Sequence, residues 1–168
     1  MSEEDQAARN KFIQLWGHMG PQWGVNKTMA QIHALLMISE NPLSTDEIMQ
    51  ELGASRGNAN MNLRALIEWG LVRRVAVKGE RREYFECEKD VWKIFCIVAR
   101  ERKRREIEPV IATLTECLEL PKQGKQSKLF RDQVGSLLQF LKTADVILGK
   151  VAQQQQSKLV PRVLKLLG

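Results

Sequence analysis

The chain has 168 residues and carries 26 Lys+Arg against 20 Asp+Glu, a net charge of +6 and a sequence pI near 9.4. That is room for one domain with a possible helical extension, and a chain of this size buries ~70% of its unfolded surface, so its core needs no disulfide or metal staple. Cys87, Cys96 and Cys117 make neither a paired framework nor a CxxC ligand pair, the start Met-Ser-Glu-Glu-Asp is acidic where a signal peptide is basic, and no apolar run approaches the ~18 residues of a membrane span; export and membrane insertion are disfavoured and a cytoplasmic location is expected.

Residues 4 to 19 place Ala8, Phe12, Leu15, Trp16 and Met19 at three- and four-residue steps, which predicts an amphipathic helix ended by Gly17, Gly20 and Pro21. A second helix, capped by Asn26 or Thr28, carries Met29, Ile32, Leu35, Leu36 and Met37 inward until Asn41-Pro42 forces the chain out of helical geometry. Ser44 and Glu47 then form a capping box, with Leu43 and Ile48 as its hydrophobic staple, opening a short helix that closes at Leu52-Gly53. Ser55 caps the next helix, which turns Ala59, Leu63, Leu66 and Ile67 to one face and stops at Gly70.

From Leu71 the period drops from 3.6 to 2, predicting a strand over Leu71 to Lys78, a polar turn from Lys78 to Glu83 and a returning strand over Tyr84 to Glu88. A long helical pattern resumes at Asp90, with the basic run 100 to 105, and Pro109 must kink or restart it. After a polar loop from Pro121 to Ser127, Phe130, Val134, Leu137, Leu141, Ala144, Leu148 and Val151 recur at steps of four and three, the spacing of a packing seam, followed by a Gln153 to Gln156 tract and an apolar piece from Leu159 to Leu167.

The charge is unevenly placed. Residues 53 to 106 hold 14 Lys+Arg and eight Asp+Glu, so this third of the chain carries the whole excess, while the rest holds 12 of each. Such a concentration is what a surface meeting a polyanion requires. Two helices joined by a tight glycine-containing turn, then a hairpin tipped with basic residues, is the element order of a winged helix-turn-helix. With Ala59, Leu63 and Leu66 facing the core, the opposite face presents Arg56, Gly57, Asn60, Met61 and Arg64. Arginine pairs with guanine, asparagine with adenine, and a methyl-bearing side chain touches thymine, while Gly57 lets backbone approach the duplex. Arg81 and Arg82 at the hairpin tip suit phosphates or a narrow minor groove.

Several motifs in this order carry a resemblance: the run from Trp23 to Leu36, Leu43-Ser44-Thr45-Asp46-Glu47-Ile48, Ser55-Arg56-Gly57-Asn58, Glu68-Trp69-Gly70-Leu71-Val72 and Lys78-Gly79-Glu80-Arg81-Arg82-Glu83-Tyr84-Phe85. Together with Lys89-Asp90-Val91-Trp92 and the run ending Lys103-Arg104-Arg105-Glu106-Ile107, the chain over about residues 10 to 120 resembles the GbsR-type branch of MarR-like transcriptional regulators. The resemblance implies a mainly α fold and a dimeric winged-helix repressor, often of osmoprotectant, choline or glycine betaine genes. It also implies a DNA-binding set of Ser55, Arg56, Gly57, Asn58, Asn60, Met61, Arg64, Arg81 and Arg82. Met49 stands where such helices place a small Ala, and Ala59 where the recognition helix has Val, a volume exchange across the helix pair.

The expected organisation is an N-terminal dimerisation helix over 1–22, a winged helix-turn-helix with a short β-hairpin wing over 23–90, and a helical dimerisation region over 91–168. The expected partners are a pseudo-palindromic duplex, a second copy of the chain and a small-molecule effector, with no membrane. Trp16 and Trp23, flanking the Gly17 to Pro21 bend, are the candidates for a cation–π effector site, against core packing as the plainer reading of all four Trp. The run Arg100 to Arg105 admits two readings, a solvated face near a helix C-terminus or added phosphate contacts.

No catalytic, metal or cofactor site is expected. His18 lies at a helix end, His33 within an apolar helix suits a packed, hydrogen-bonded imidazole, and none of the GxSxG, P-loop, HExxH or dinucleotide fingerprints occurs. A winged-helix protein-interaction module meeting an acidic partner is the competing function.

Overall fold

A computed structural model describes residues 2–120 and 127–153. The expected pieces Pro121 to Gln126, Gln154 to Gln156 and Leu159 to Leu167 lie outside the described residues, as does the side chain of Val151. The chain divides into two compact units, Met1–Ile94 and Phe95–Gly168.

In the first unit α1 (Glu3–Met19) starts at Ser2, whose hydroxyl accepts from the Asp5 amide while Asp5 reaches back to the Ser2 amide. The helix runs through Gly17 instead of ending there. A Cβ at Gly17 would lie 2.6 Å from Gln31 Cγ, and one at Gly20 2.7 Å from Ala30 Cβ, so these glycines let α1 lie close against α2 (Lys27–Ile38). A 3₁₀ turn over Gly20–Trp23 joins the two helices, and Asn26 is the N-cap of α2, accepting from the Met29 amide at 2.9 Å. The sequence of α2 is apolar nearly all round, and Met29 to Leu36 are all buried, which makes it the central helix of the unit.

The expected capping box holds. Ser44 receives the Glu47 amide, and its own amide donates to Glu47 at 2.7 Å, opening α3 (Thr45–Leu52). The Ser44 hydroxyl, donating to Glu47 Oε2 at 2.6 Å, and the Ser44 amide together hold the Glu47 carboxyl below the usual carboxylate range. Gly53 closes α3 in the left-handed region at φ 61, Ser55 caps α4 (Arg56–Trp69), and Gly70 ends α4 at φ 83. Ile48, Ala59, Leu63 and Leu66 are fully enclosed where α2, α3 and α4 meet.

The hairpin is shorter than the alternating pattern suggested, with β2 at Val72–Val75 and β3 at Tyr84–Cys87. Val72 pairs with Cys87 and Val75 with Tyr84. The sheet has three strands in place of the two expected: β1, Leu43–Ser44, adds to the other edge of β3 with Leu43 opposite Phe85 and Ser44 opposite Tyr84. Between β2 and β3, the Val77 carbonyl accepts from the Glu80 amide at 3.1 Å across a turn with Gly79 at φ 88, a conformation that favours glycine. Lys89 follows β3 and donates to the carbonyls of Leu36, Met37 and Ser39, satisfying the open end of α2. The architecture is a mainly helical winged helix.

In the second unit, α5 (Val91–Arg102), which crosses the boundary between the units, leads into a π-helical turn over Lys103–Ile107 and then α6 (Glu108–Glu119). Pro109 follows the π turn directly, and the backbone stays right-handed helical through Arg102, Ile107 and Glu108, so the helix accommodates the proline by a π segment without breaking. The Glu108 amide reaches back five residues to the Lys103 carbonyl. Helix α7 (Lys128–Gln153) packs on α6 and on the π turn. Its covered positions include Val134, Leu138, Leu141 and Leu148, whereas Phe130 and Leu137 of the expected seam are exposed.

Candidate nucleic-acid interface

Helix α4 buries Ala59, Asn62, Leu63, Leu66 and Trp69, which fixes its outward face by the 3.6-residue period. Arg56, Asn60 and Arg64 stand one turn apart along that face, flanked by Gly57 and Met61. Met61 is 60% exposed, an apolar side chain held in solvent with no packing reason to be there. A Cβ at Gly57 would meet nothing within 4 Å, so the fold itself does not require glycine at this position. Ser55 is exposed and accepts from the Asn58 amide at 3.4 Å.

Asn58 departs from the outward row. Its side-chain amide donates to Thr28 Oγ1 at 3.1 Å, and its Oδ1 accepts from Asn62 at 2.7 Å. Asn62, 1% exposed, in turn accepts from Asn26 at 2.7 Å. The Asn58 side chain thus belongs to an amide ladder that ties α4 to the start of α2. Sequence periodicity flags the buried Asn62 as out of place on an apolar face, but which partners it finds is a tertiary matter.

The wing contributes exposed Arg81 and Arg82 beside the outward row. Among the described residues, Arg64 and Arg81 have no carboxylate within ion-pair distance. Two arginines of β2 are paired: Arg73 with Glu86 at 2.5 Å, directly opposite on the neighbouring strand, and Arg74 with Glu83 at 3.5 Å. Asp46, in the first turn of α3, takes Arg56 at 2.5 Å and Arg82 at 4.0 Å. A groove of about 120 Å³ separates α4 from the sheet, lined by Asn60, Leu63, Arg64, Ile67, Arg74, Glu83 and Phe85.

The basic run of the second unit is held differently. Arg102 pairs with Glu106 at 3.0 Å, Lys103 with Glu108 at 2.7 Å and Asp145 at 2.9 Å, and Arg104 with the buried Glu101 at 2.8 Å. Those carboxylates raise the Lys103 ammonium above its ordinary range. Much of the run's charge is thus neutralised within its own unit, which favours the solvated-face reading of Arg100 to Arg105.

Trp16 and Trp23 lie edge to face with centroids 5.1 Å apart, and Phe12 stacks on Trp16 at 5.4 Å. Phe12, Trp16 and Trp23 thus make a half-buried aromatic cluster at the junction of α1 and the 3₁₀ turn. His33 is buried, but its Nε2 has no hydrogen-bond partner among the described residues, and burial lowers its pKa to about 4. The Cys87 thiol is pushed up to about 11 by burial, which makes it an inert core residue. Among the described residues no helix is long and apolar enough to cross a membrane.

Residues 23–83 match the family model described as MarR family. Over 70 residues the chain is 37% identical to the HTH-type transcriptional regulator MmpR5 of Mycobacterium tuberculosis (strain ATCC 25618 / H37Rv), a stretch that covers 42% of this chain and 41% of that protein. The chain therefore matches less than half the length of this curated relative. A solved structure described as the crystal structure of a transcriptional regulator superposes with a TM-score of 0.69 at 20% identity, covering 89% of this chain and 98% of the other, a likeness of fold. Helix α3, helix α4, strand β2 and the wing turn with Arg81 and Arg82 thus fall within the segment where this winged-helix chain is similar to the MarR family, and β3 follows directly after it.

Proposed function

We propose that the chain is a sequence-specific DNA-binding transcriptional regulator of the MarR type. The observation that carries the reading is the outward row of α4, where Arg56, Met61 and Arg64 are exposed and Asn60 is half-buried at the groove, together with the exposed Arg81 and Arg82 of the wing. Arg56 and Asn60 read base edges, Met61 contacts thymine methyl groups, Ser55 and Arg64 hold phosphates, and Gly57 admits the backbone close to the duplex. Arg81 and Arg82 bind phosphates or the adjacent minor groove. Asn58 contributes by orienting the helix through its bond to Thr28.

The regulator works as a homodimer and as a repressor, with two copies of α4 entering successive major grooves about 34 Å apart on a pseudo-palindromic operator. Its dimerisation region comprises residues 1–22 and 91–168, and the exposed Phe130, Leu137, Phe140 and Ile147 of α7 support that assignment. The finer kinship is with the GbsR-type branch, and the effector, choline or glycine betaine, acts at the aromatic cluster of Trp16 and Trp23. It works by differential affinity for DNA-competent and incompetent states.

Selection of bound duplexes from a random library tests the reading. A single pseudo-palindromic motif, bound with a steep salt dependence, is the expected result. Absence of enrichment over the input library sinks it and leaves the protein-interaction module as the better account. For the effector, titrating choline and glycine betaine should change tryptophan fluorescence and shift the affinity for the selected duplex; no change in either removes Trp16 and Trp23 from the site.

A further inference from the structure

Asp46 stands at the junction of three elements. It occupies the first turn of α3, it meets Arg56 at the start of α4, and it faces Arg82 of the wing. Ser44, the N-cap of α3, pairs with Tyr84 at the start of β3, which brings the first turn of α3 alongside the end of the wing turn.

Asp46 is about half exposed, and both arginines are more exposed still. An ion pair in such a place adds little to folding. Its effect falls on the arginine conformation. A free arginine samples many rotamers and loses them when it docks on a base edge. Arg56 spends one nitrogen, Nη2, on Asp46, and the guanidinium has five N–H donors in a fixed fork, so donors remain for a guanine edge while the fork is already oriented. The same carboxylate carries a negative charge close to where phosphates must approach, which disfavours docking on any sequence alike.

We propose that Asp46 is a specificity-determining positioning residue: by holding Arg56 and Arg82 at one carboxylate it sets the ratio of affinities for matched and unmatched DNA. The inference rests on the DNA-binding reading above. Removing the charge loosens Arg56 against the matched sequence, which lowers the ratio, whereas the easier approach of phosphates strengthens both complexes alike and cancels in it.

The test uses the full chain with two probes, the duplex enriched from the random library and a scrambled duplex of equal length and composition. Asp46→Asn keeps the side-chain shape and removes the charge. The ratio of the two dissociation constants should fall by about 3- to 10-fold, the scale of ordering one long side chain, with binding to the scrambled duplex unchanged or stronger. Loss of active protein would weaken both probes equally and leave the ratio intact, so the ratio separates positioning from folding. In an Arg56→Ala background the same Asp46→Asn change should leave the ratio within about 2-fold. A wild-type chain that discriminates, together with an Asp46→Asn ratio unchanged or a shift of similar size in the Arg56→Ala background, overturns this proposal alone. A wild-type chain that binds both duplexes equally overturns the DNA-binding reading beneath it.

Discussion

Gly57 is a residue for which the folded chain offers no reason. It lies in the first turn of α4 with a helical backbone, and a Cβ there would touch nothing. Alanine in a helix is more stable than glycine by up to ~1 kcal/mol, so Gly57→Ala should leave the melting temperature unchanged or raised. If the glycine is there to let a duplex approach, the same variant should lose about tenfold in affinity, or 1.4 kcal/mol, for selected and scrambled duplexes alike. Unchanged binding would return Gly57 to the status of an incidental surface glycine. His33 shows the opposite situation, an ionisable residue enclosed by the core. Its folded pKa of about 4 lies below the ordinary 6.5, so the unfolded chain binds the extra proton first and stability must fall as pH drops through that interval. The linkage amounts to about 3 kcal/mol between pH 6.5 and 4. Chemical denaturation at pH 7.5 and 5 should show the loss in the native chain and a flatter profile in His33→Leu. Equal pH dependence in both would assign the effect elsewhere, and the depressed carboxyl of Glu47 acts mainly below pH 4.5, outside most of this window.

At the scale of elements, the features that local chemistry controls were readable from the sequence. Ser44 with Glu47, Ser55, Gly53 and Gly70 mark helix ends because the orphan amides and carbonyls of a helix must be met within a residue or two. The outward row of α4 was readable for a similar reason, since the buried positions of a short helix dictate the exposed ones. What escaped were interactions between segments far apart in sequence. Leu43–Ser44 reads as a staple and a cap, and it is also a strand, but two residues carry no alternating pattern and the pairing partner lies some 40 positions away. Gly17 looks like a helix stop and is instead a contact surface, because only the position of Gln31 on the neighbouring helix reveals the crowding. The bonds of Asn58 to Thr28 and Asn62 escaped for the same reason, since Thr28 lies 30 positions away on another helix. Pro109 signals an irregularity, and the structure meets it with a π turn just upstream in a helix that runs on.

At the scale of the whole molecule, the unpartnered apolar surface and the basic surface belong to different parts of the chain. In the second unit α7 half-buries Val134, Leu141 and Leu148 of the expected seam and leaves Phe130 at 41% and Leu137 at 47% exposed, so the seam is divided between covered and open positions, and Phe140 at 67% and Ile147 at 57% widen the open face. If that open face joins two copies, light scattering should give twice the 19.3 kDa chain mass, and Phe140→Glu should bring it to the mass of one chain without unfolding it. A native chain that scatters as 19.3 kDa at micromolar concentration would contradict the homodimer. The central claim concerns the basic face, where a net +6 over the whole chain resolves into an ordered row of side chains on one helix and one wing. The measurement that tests it most directly is the affinity of Arg56→Ala for the selected duplex and for a scrambled one, each across a range of salt. The account predicts a loss of 1–3 kcal/mol on the selected duplex with little change on the scrambled one, the mark of a lost base contact. Equal losses on both duplexes, or none on either, would contradict it.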